Sequence, residues 1–209
     1  MSTFIYHITH VDNLKSIVAD GRLCTYKELC ETGKRHVSIA YQNIQDRRGK
    51  IIVPCGPGGT LHGYVPFQFA PRSPMLYTIN RGNVPGYSEG QNPLLHLVSA
   101  IEAVKEASLG FVFTNGHAIM RLTDFFDDFA QLNQIDWPLM RARYWYDTVR
   151  DSDRKRRRQA EFLVCKSFPW HLITQIGVIN TQMSERVDAL LTDAKHKPAV
   201  VVHPNWYYL

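Results

Sequence analysis

The short apolar run Glu161-Phe162-Leu163-Val164-Cys165 follows directly on Arg154-Lys155-Arg156-Arg157-Arg158, and no other junction constrains the chain as strongly. Five residues of this kind predict a short strand, and the basic run before it predicts a mobile, solvated segment. A carboxylate at the mouth of such a strand can act on a sugar while the segment beside it holds a polyanion. The competing reading is a solvated charge run next to an edge strand.

The net charge of +5 is concentrated in one place. Between Arg141 and Arg158 stand eight Arg or Lys residues against Asp147, Asp151 and Asp153, an excess equal to that of the whole chain. A patch of this sort attracts phosphate without specifying a base. Nucleic acid, an anionic cofactor and an acidic partner all fit it. The 209 residues, 44% hydrophobic and 21% charged, are enough for a sizeable core and favour one domain over 1–209. Cys24, Cys30, Cys55 and Cys165 form no CxxC pair and have no zinc-finger histidine spacing, so neither a metal site nor a disulfide framework is expected. No apolar stretch approaches membrane-spanning length and no signal core opens the chain; a reduced, cytoplasmic protein without a membrane association is expected.

Along the chain, Phe4 to Ile8 reads as a first strand, and Asn13, Leu14, Ile17 and Val18 mark one side of a short helix. Thr9 and Asp12 suggest its capping box, and Gly21 its end. The strand-to-helix turn puts His7 near amides suited to an anion, although a packed histidine fits equally. Cys55-Gly56-Pro57-Gly58-Gly59-Thr60 reads as a turn, with neither a Walker loop nor a GxGxxG fingerprint in the chain. Gly63 to Phe69 and Pro71 to Tyr77 read as two short strands whose prolines, at 66, 71 and 74, argue for edges, bulges and turns instead of a central parallel strand. Arg72 there suits a phosphate clamp or simple packing. Leu94, Leu95, Leu97, Val98, Ile101 and Val104 predict a helix extending to about Ala107, followed by a strand at Gly110–Phe113 that ends in Thr114-Asn115-Gly116-His117. His117 faces the cleft or packs beneath the loop. Between Arg121 and Arg158, Trp137, Tyr144, Trp145 and Tyr146 offer either stacking surfaces for single-stranded nucleic acid or inward-packing anchors. Ile173 to Ile179 and Ala199 to His203 read as strands, with a helix around Ser184 to Leu191.

Taken together, Tyr6-His7-Ile8-Thr9 with Asn13-Leu14, Gln45-Asp46-Arg47-Arg48, Gly63 to Phe69 into Pro71 to Tyr77, Phe113-Thr114-Asn115-Gly116-His117 and Arg158-Gln159-Ala160-Glu161-Phe162-Leu163-Val164 resemble the DarT family of bacterial DNA ADP-ribosyltransferase toxins. The pieces extend over most of the chain and are specific only in combination. The resemblance implies an α+β, compact ADP-ribosyltransferase-like fold with a split mixed or antiparallel β core and peripheral helices. It further implies transfer of ADP-ribose from NAD⁺, a consumed co-substrate, to thymidine in single-stranded DNA, with no metal. Carried over, it makes Glu161 and Arg48 catalytic, with Arg47 as the other candidate for the arginine. It places cofactor contacts near His7, Thr9 and Asn13; Gly21, Arg48, Tyr64, Arg72 and Tyr77 are further candidates for the cofactor pocket, with simple packing as the competing reading for Tyr64, Arg72 and Tyr77. The DNA would meet Arg47, His117, Tyr144 and the run Arg154, Lys155, Arg156, Arg157 and Arg158. A monomer neutralised by a cognate antitoxin with an ADP-ribose-removing macrodomain is the expected setting.

Within that chemistry the role of Glu161 is concrete. A carboxylate beside the sugar can hold a ribose hydroxyl and stabilise the oxocarbenium-like charge that grows as nicotinamide leaves. For Arg48, orienting the target is less demanding than moving its proton. A non-catalytic single-stranded nucleic-acid binding module predicts binding without NAD⁺ consumption. An ADP-ribosyltransferase acting on RNA or protein predicts transfer that spares thymidine, and a metal nuclease, for which no carboxylate and histidine cluster is visible, predicts cleavage.

Overall fold

The computed structural model describes residues 2–208. In chain order the first half contributes β1 (Phe4–His10), α1 (Leu14–Asp20), β2 (Arg22–Cys24), α2 (Tyr26–Thr32), α3 (Gln42–Arg48), β3 (Tyr64–Gln68), α4 (Pro74–Asn80), β4 (Leu94–Ala100) and α5 (Ile101–Glu106). The second half contributes β5 (Phe111–Thr114), β6 (Phe125–Phe126), α6 (Trp137–Arg141), α7 (Arg154–Arg157), β7 (Glu161–Cys165), β8 (Ser167–Pro169), β9 (Gln175–Val178), α8 (Thr181–Leu190) and β10 (Ala199–Val202). Eight strands form one sheet in the order β10-β9-β4-β1-β3-β7-β5-β6, and β2 pairs with β8 beside it. Every pairing in the large sheet is antiparallel except β9 with β10, so the fold is α+β with a mixed core. No described helix is long and apolar enough to cross a membrane.

The sheet is split at its middle. β1 pairs with β4 from Phe4 to His10, and β3 with β7 from Tyr64 to Cys165 through Gln68 to Glu161, but β1 meets β3 only at Tyr6 and Gln68. Pro66 in β3 has no amide hydrogen to offer a ladder. Its carbonyl instead accepts from His7 Nδ1 across the gap at 2.8 Å. The two halves of the sheet therefore diverge, and the divergence opens a cleft.

Alternation along β7 decides which side chains enter it. Phe162 and Val164 belong to the main core with Ile5, Phe67 and Phe113, while Leu163 belongs to a second cluster with Tyr64, Val112 and Ile119 on the other face. A period of two puts Glu161 on the side of Leu163, at the end of the strand where that cluster gives way to the cleft.

Several sequence expectations change. Residues 94–100 are a strand and only Ile101–Glu106 is helical. β4 lies between β1 and β9 and is buried on both faces, so its near-continuous apolar run carries no alternation to distinguish it from a helix. Residues 71–77 form a turn into α4, because Ser73 caps Leu76 N at 3.1 Å and Pro74 takes the first helical position. Pro66 does not mark an edge, since β3 lies inside the sheet. Ahead of the first helix, His10 rather than Thr9 caps the 3-10 turn Val11–Asn13 that runs into α1, its Nδ1 accepting from Asp12 N at 3.2 Å, while Gly21 ends α1 at φ 66° as expected.

Candidate active site

Glu161 and Arg48 meet on the cleft floor. Arg48, in the last turn of α3, donates through Nη1 to Glu161 Oε2 at 2.7 Å. Ala118 N donates to the other carboxylate oxygen at 3.1 Å. The two side chains are only 9% and 8% exposed, and β7 is an interior strand, which removes the reading of a solvated charge on an edge. A buried ion pair persists only when its remaining polar groups are also satisfied. Here two are not: Arg48 Nη2 and, on the neighbouring strand position, Gln68 Oε1 are buried without a partner. An orphan donor and an orphan acceptor flanking a carboxylate suit a ligand rich in hydroxyl and phosphate oxygens.

The position of Arg48 follows from local packing. His62 Nε2 donates to Gln45 O at 2.8 Å and its ring lies against Gly49, where a Cβ would come within 2.9 Å. The last turn of α3 is thereby pressed onto the sheet. Arg47, exposed, lines the same cleft but donates through Nη2 to Ile119 O at 3.1 Å instead of reaching Glu161.

The cleft holds about 900 Å³ and runs from the β1–α1 turn past Glu161 to the segment before β7. His7, Thr9, Asn13, Tyr64, Arg47, Arg48, His117, Lys155, Arg156 and Glu161 line it, so the structure brings these candidates together. Asn13 brackets Val37, accepting from its amide at 2.8 Å and donating to its carbonyl at 3.0 Å, and so holds residues 33–41 over one end. Burial lowers the pKa of His7 and of His117, in the latter against the opposing pull of Glu161. Tyr64 donates to Gly58 O at 2.7 Å, and burial pushes its hydroxyl up to about 12.

Other candidates stand elsewhere. Gly21 only terminates α1. Arg72 lies 4.4 Å above the Tyr208 ring, and Tyr77 packs between Trp145 and Tyr208; none of the three lines the cleft. Arg158 is 4% exposed and donates to the carbonyls of Arg72, Leu139, Met140 and Ala142, with burial pulling its pKa down to about 10. It is a core tie, not a phosphate contact. Arg157 is spent on Asp136, Asp151 and Asp153. Arg154 and Tyr144 do not line the cleft either, and are joined by a 2.9 Å bond from Arg154 Nη2 to Tyr144 O. Tyr144 and Tyr146 face solvent, while Trp137 packs on Phe69 and Trp145 donates to Tyr208 OH at 2.7 Å.

Sequence reasoning missed Gln68, Thr114 and Ala118. Gln68 closes a strand whose alternate residues Tyr64 and Pro66 share its face, so its period was a usable signal. Thr114 Oγ1 accepts from Glu161 N at 3.0 Å, which needs a pairing no local pattern reveals. Ala118 acts through its backbone, which carries no side-chain signature.

A family model described as "ssDNA thymidine ADP-ribosyltransferase, DarT" matches residues 6–208. A "DNA ADP-ribosyl transferase" of Thermus sp. (strain 2.9) is 45% identical over 208 residues, 99% of this chain and 96% of that protein. Another, from Escherichia coli O127:H6, is 30% identical over 204 residues, covering 98% and 93%. Among solved structures, Thermus sp. 2.9 DarT in complex with ADP-ribosylated ssDNA superposes with a TM-score of 0.92 at 44% identity, over 99% of this chain and 97% of that one. The same protein in complex with NAD⁺ gives 0.88 at 42%, over 99% and 98%.

Proposed function

The chain belongs to the DarT family of DNA ADP-ribosyltransferases, and from that premise we propose that it is a toxin enzyme transferring ADP-ribose from NAD⁺ to thymidine in single-stranded DNA, with Glu161 and Arg48 at the reacting centre. The observation that carries the site assignment is the buried pair at 2.7 Å with an unpartnered Arg48 Nη2 on the cleft floor.

NAD⁺ supplies the ribosyl carbon and the nicotinamide leaving group; the rest of the work falls to the protein. Glu161 holds a ribose hydroxyl and stabilises positive charge as it spreads over the anomeric carbon and ring oxygen. Ala118 N and Arg48 Nη1 fix the carboxylate, so little reorganisation accompanies that charge. Arg48 Nη2 remains to position the target base, whose proton passes to water as the new bond to the sugar forms and nicotinamide departs. His7, Thr9, Asn13 and Tyr64 shape the cofactor end, and His117, Arg47, Lys155 and Arg156 line the substrate end. Among the described residues no cluster of His, Cys, Asp or Glu is arranged to hold a metal ion.

The whole chain acts as one catalytic domain, as a monomer in the cytoplasm, restrained by a cognate antitoxin with an ADP-ribose-removing macrodomain; family membership supports this setting. Purified protein incubated with NAD⁺ and thymidine-containing single strands should yield a covalent ADP-ribose mass increment that thymidine-free strands, RNA and duplex DNA lack. Glu161→Ala should lose about a hundredfold or more in rate. Modification of RNA or protein with the thymidine strand untouched would refute the substrate, and unchanged turnover in the variant would refute the residue.

A further inference from the structure

We propose that Arg156 is a positioning residue, tying the loop that holds the Glu161 carboxylate to the segment that delivers Glu161, rather than a contact for the DNA backbone. The inference rests on the reading of Glu161 as the carboxylate at the reacting sugar.

Two chain segments aim that carboxylate. One is the loop 115–124 between β5 and β6, which contributes Ala118 N; the other is α7 and the turn leading into β7. Arg156 spans them. Its Nε and Nη2 donate to the two oxygens of Asp153 at 2.8 and 2.6 Å, and Nη1 reaches Thr123 Oγ1 at 3.2 Å and Asn115 Oδ1 at 3.4 Å. Its carbonyl accepts from His117 N at 3.0 Å. The guanidinium is 13% exposed and its charge is matched by Asp153. A phosphate arriving from solvent would have to displace this bidentate pair, an unfavourable exchange compared with binding the exposed Lys155 next to it.

Gly116 is the second, independent sign of a built junction. A Cβ there would lie 2.3 Å from Arg156 Nη1 and 3.0 Å from Thr123 Oγ1, so the guanidinium crosses the loop at the one residue without a side chain. Gly116 O in turn accepts from Thr114 Oγ1 at 2.7 Å, and Thr114 Oγ1 accepts from Glu161 N. Gly116, His117 and Ala118 are thus anchored by Thr114, by the Arg156 carbonyl and by Glu161 itself. Displacing this tripeptide by an ångström misdirects the Ala118 amide, a scale of error that costs about a hundredfold in rate.

The test compares Arg156→Ala, Gly116→Ala, their double variant, Lys155→Ala and Glu161→Ala in the full chain, with NAD⁺ and thymidine-containing single-stranded DNA, while following unfolding midpoints. Arg156→Ala and Gly116→Ala should each lower kcat about a hundredfold, leave KM for DNA and its salt dependence unchanged, and combine without further loss, because both break one junction. Lys155→Ala should raise KM and flatten the salt dependence. Should Arg156→Ala fail to fold, Arg156→Lys carries the test: it keeps the cation, loses the fork and should show the same fall in kcat. A rise in KM with a flattened salt dependence for Arg156→Ala, full kcat in Gly116→Ala, or additive losses would overturn the proposal. Turnover retained by Glu161→Ala would instead overturn the reading on which it rests.

Discussion

Glu161 and Arg48 each hold the other in place. Removing the carboxylate leaves a guanidinium that is 9% exposed, with Nη2 already unpartnered. Breaking one side of such a pair costs about 3 kcal/mol or more. Glu161→Ala should therefore lose stability as well as activity. Glu161→Gln, like Glu161→Ala, leaves the Arg48 charge uncompensated, and its single oxygen can serve only one of the donors Arg48 and Ala118 N, so it should lose transfer and lower the urea midpoint by a similar amount. Parallel urea titrations of the two variants check this; a Gln variant as stable as the native protein would mean that charge compensation does not govern the site. The same residue scale explains which placements could be read from the sequence. Glu161 was legible from its place before an apolar strand, whereas the pairing of Arg48 rather than Arg47 with it is seen only in the folded chain, where Arg47 donates to Ile119 O instead.

At the scale of elements, the basic segment before β7 divides into two kinds of arginine. Arg157 and Arg158 are committed to internal acceptors, and Arg156 joins two loops, leaving Lys155 exposed and Arg154 partly so. Each single-strand phosphate contact contributes about 0.7 to the slope of log affinity against log salt. Replacing Arg154 and Lys155 together by Ala should reduce that slope by about 1.4 with the fold intact. Arg158→Ala should instead destabilise by about 3 kcal/mol, since the carbonyls of Leu139, Met140 and Ala142 lose a charged donor. Salt-titrated binding of a short thymidine strand and chemical unfolding separate the two outcomes. A run of like charges looked uniform in sequence because composition records no direction; the short helix α7 turns successive residues to different neighbours.

At the scale of the whole molecule, the split sheet makes the cleft, and the carboxyl-terminal segment packs against β4 and the turn before it. Tyr207 OH donates to Leu94 O at 2.8 Å, and Gln91 Oε1 accepts from Tyr208 N at 2.9 Å. Beneath them His96, in the centre of β4, donates through Nε2 to Pro71 O at 3.1 Å, and burial lowers its pKa to about 4. His7, His117 and His203 shift in the same direction for the same reason. A histidine depressed in the folded state takes up its proton later than in the unfolded chain, so its stabilisation is complete above pH 6.5 and is lost as pH falls towards 4. For His96 alone that loss is about 3 kcal/mol. His96→Gln, which cannot titrate, should flatten the fall in urea midpoint between pH 6.5 and 4 by about that amount; an unchanged slope would place the acid sensitivity elsewhere. Most strand identities, the helix stop at Gly21, the charge cluster and the carboxylate at the mouth of β7 were determined by the sequence itself, because period, left-handed backbone and local charge are properties of neighbouring residues. Tertiary structure alone decided that β4 is a strand, that Arg158 is a core tie, that Arg72 and Tyr77 lie outside the cleft and that Ala118 N meets Glu161. Each of these depends on burial or on contacts between residues far apart in the chain, and neither is encoded in any local stretch.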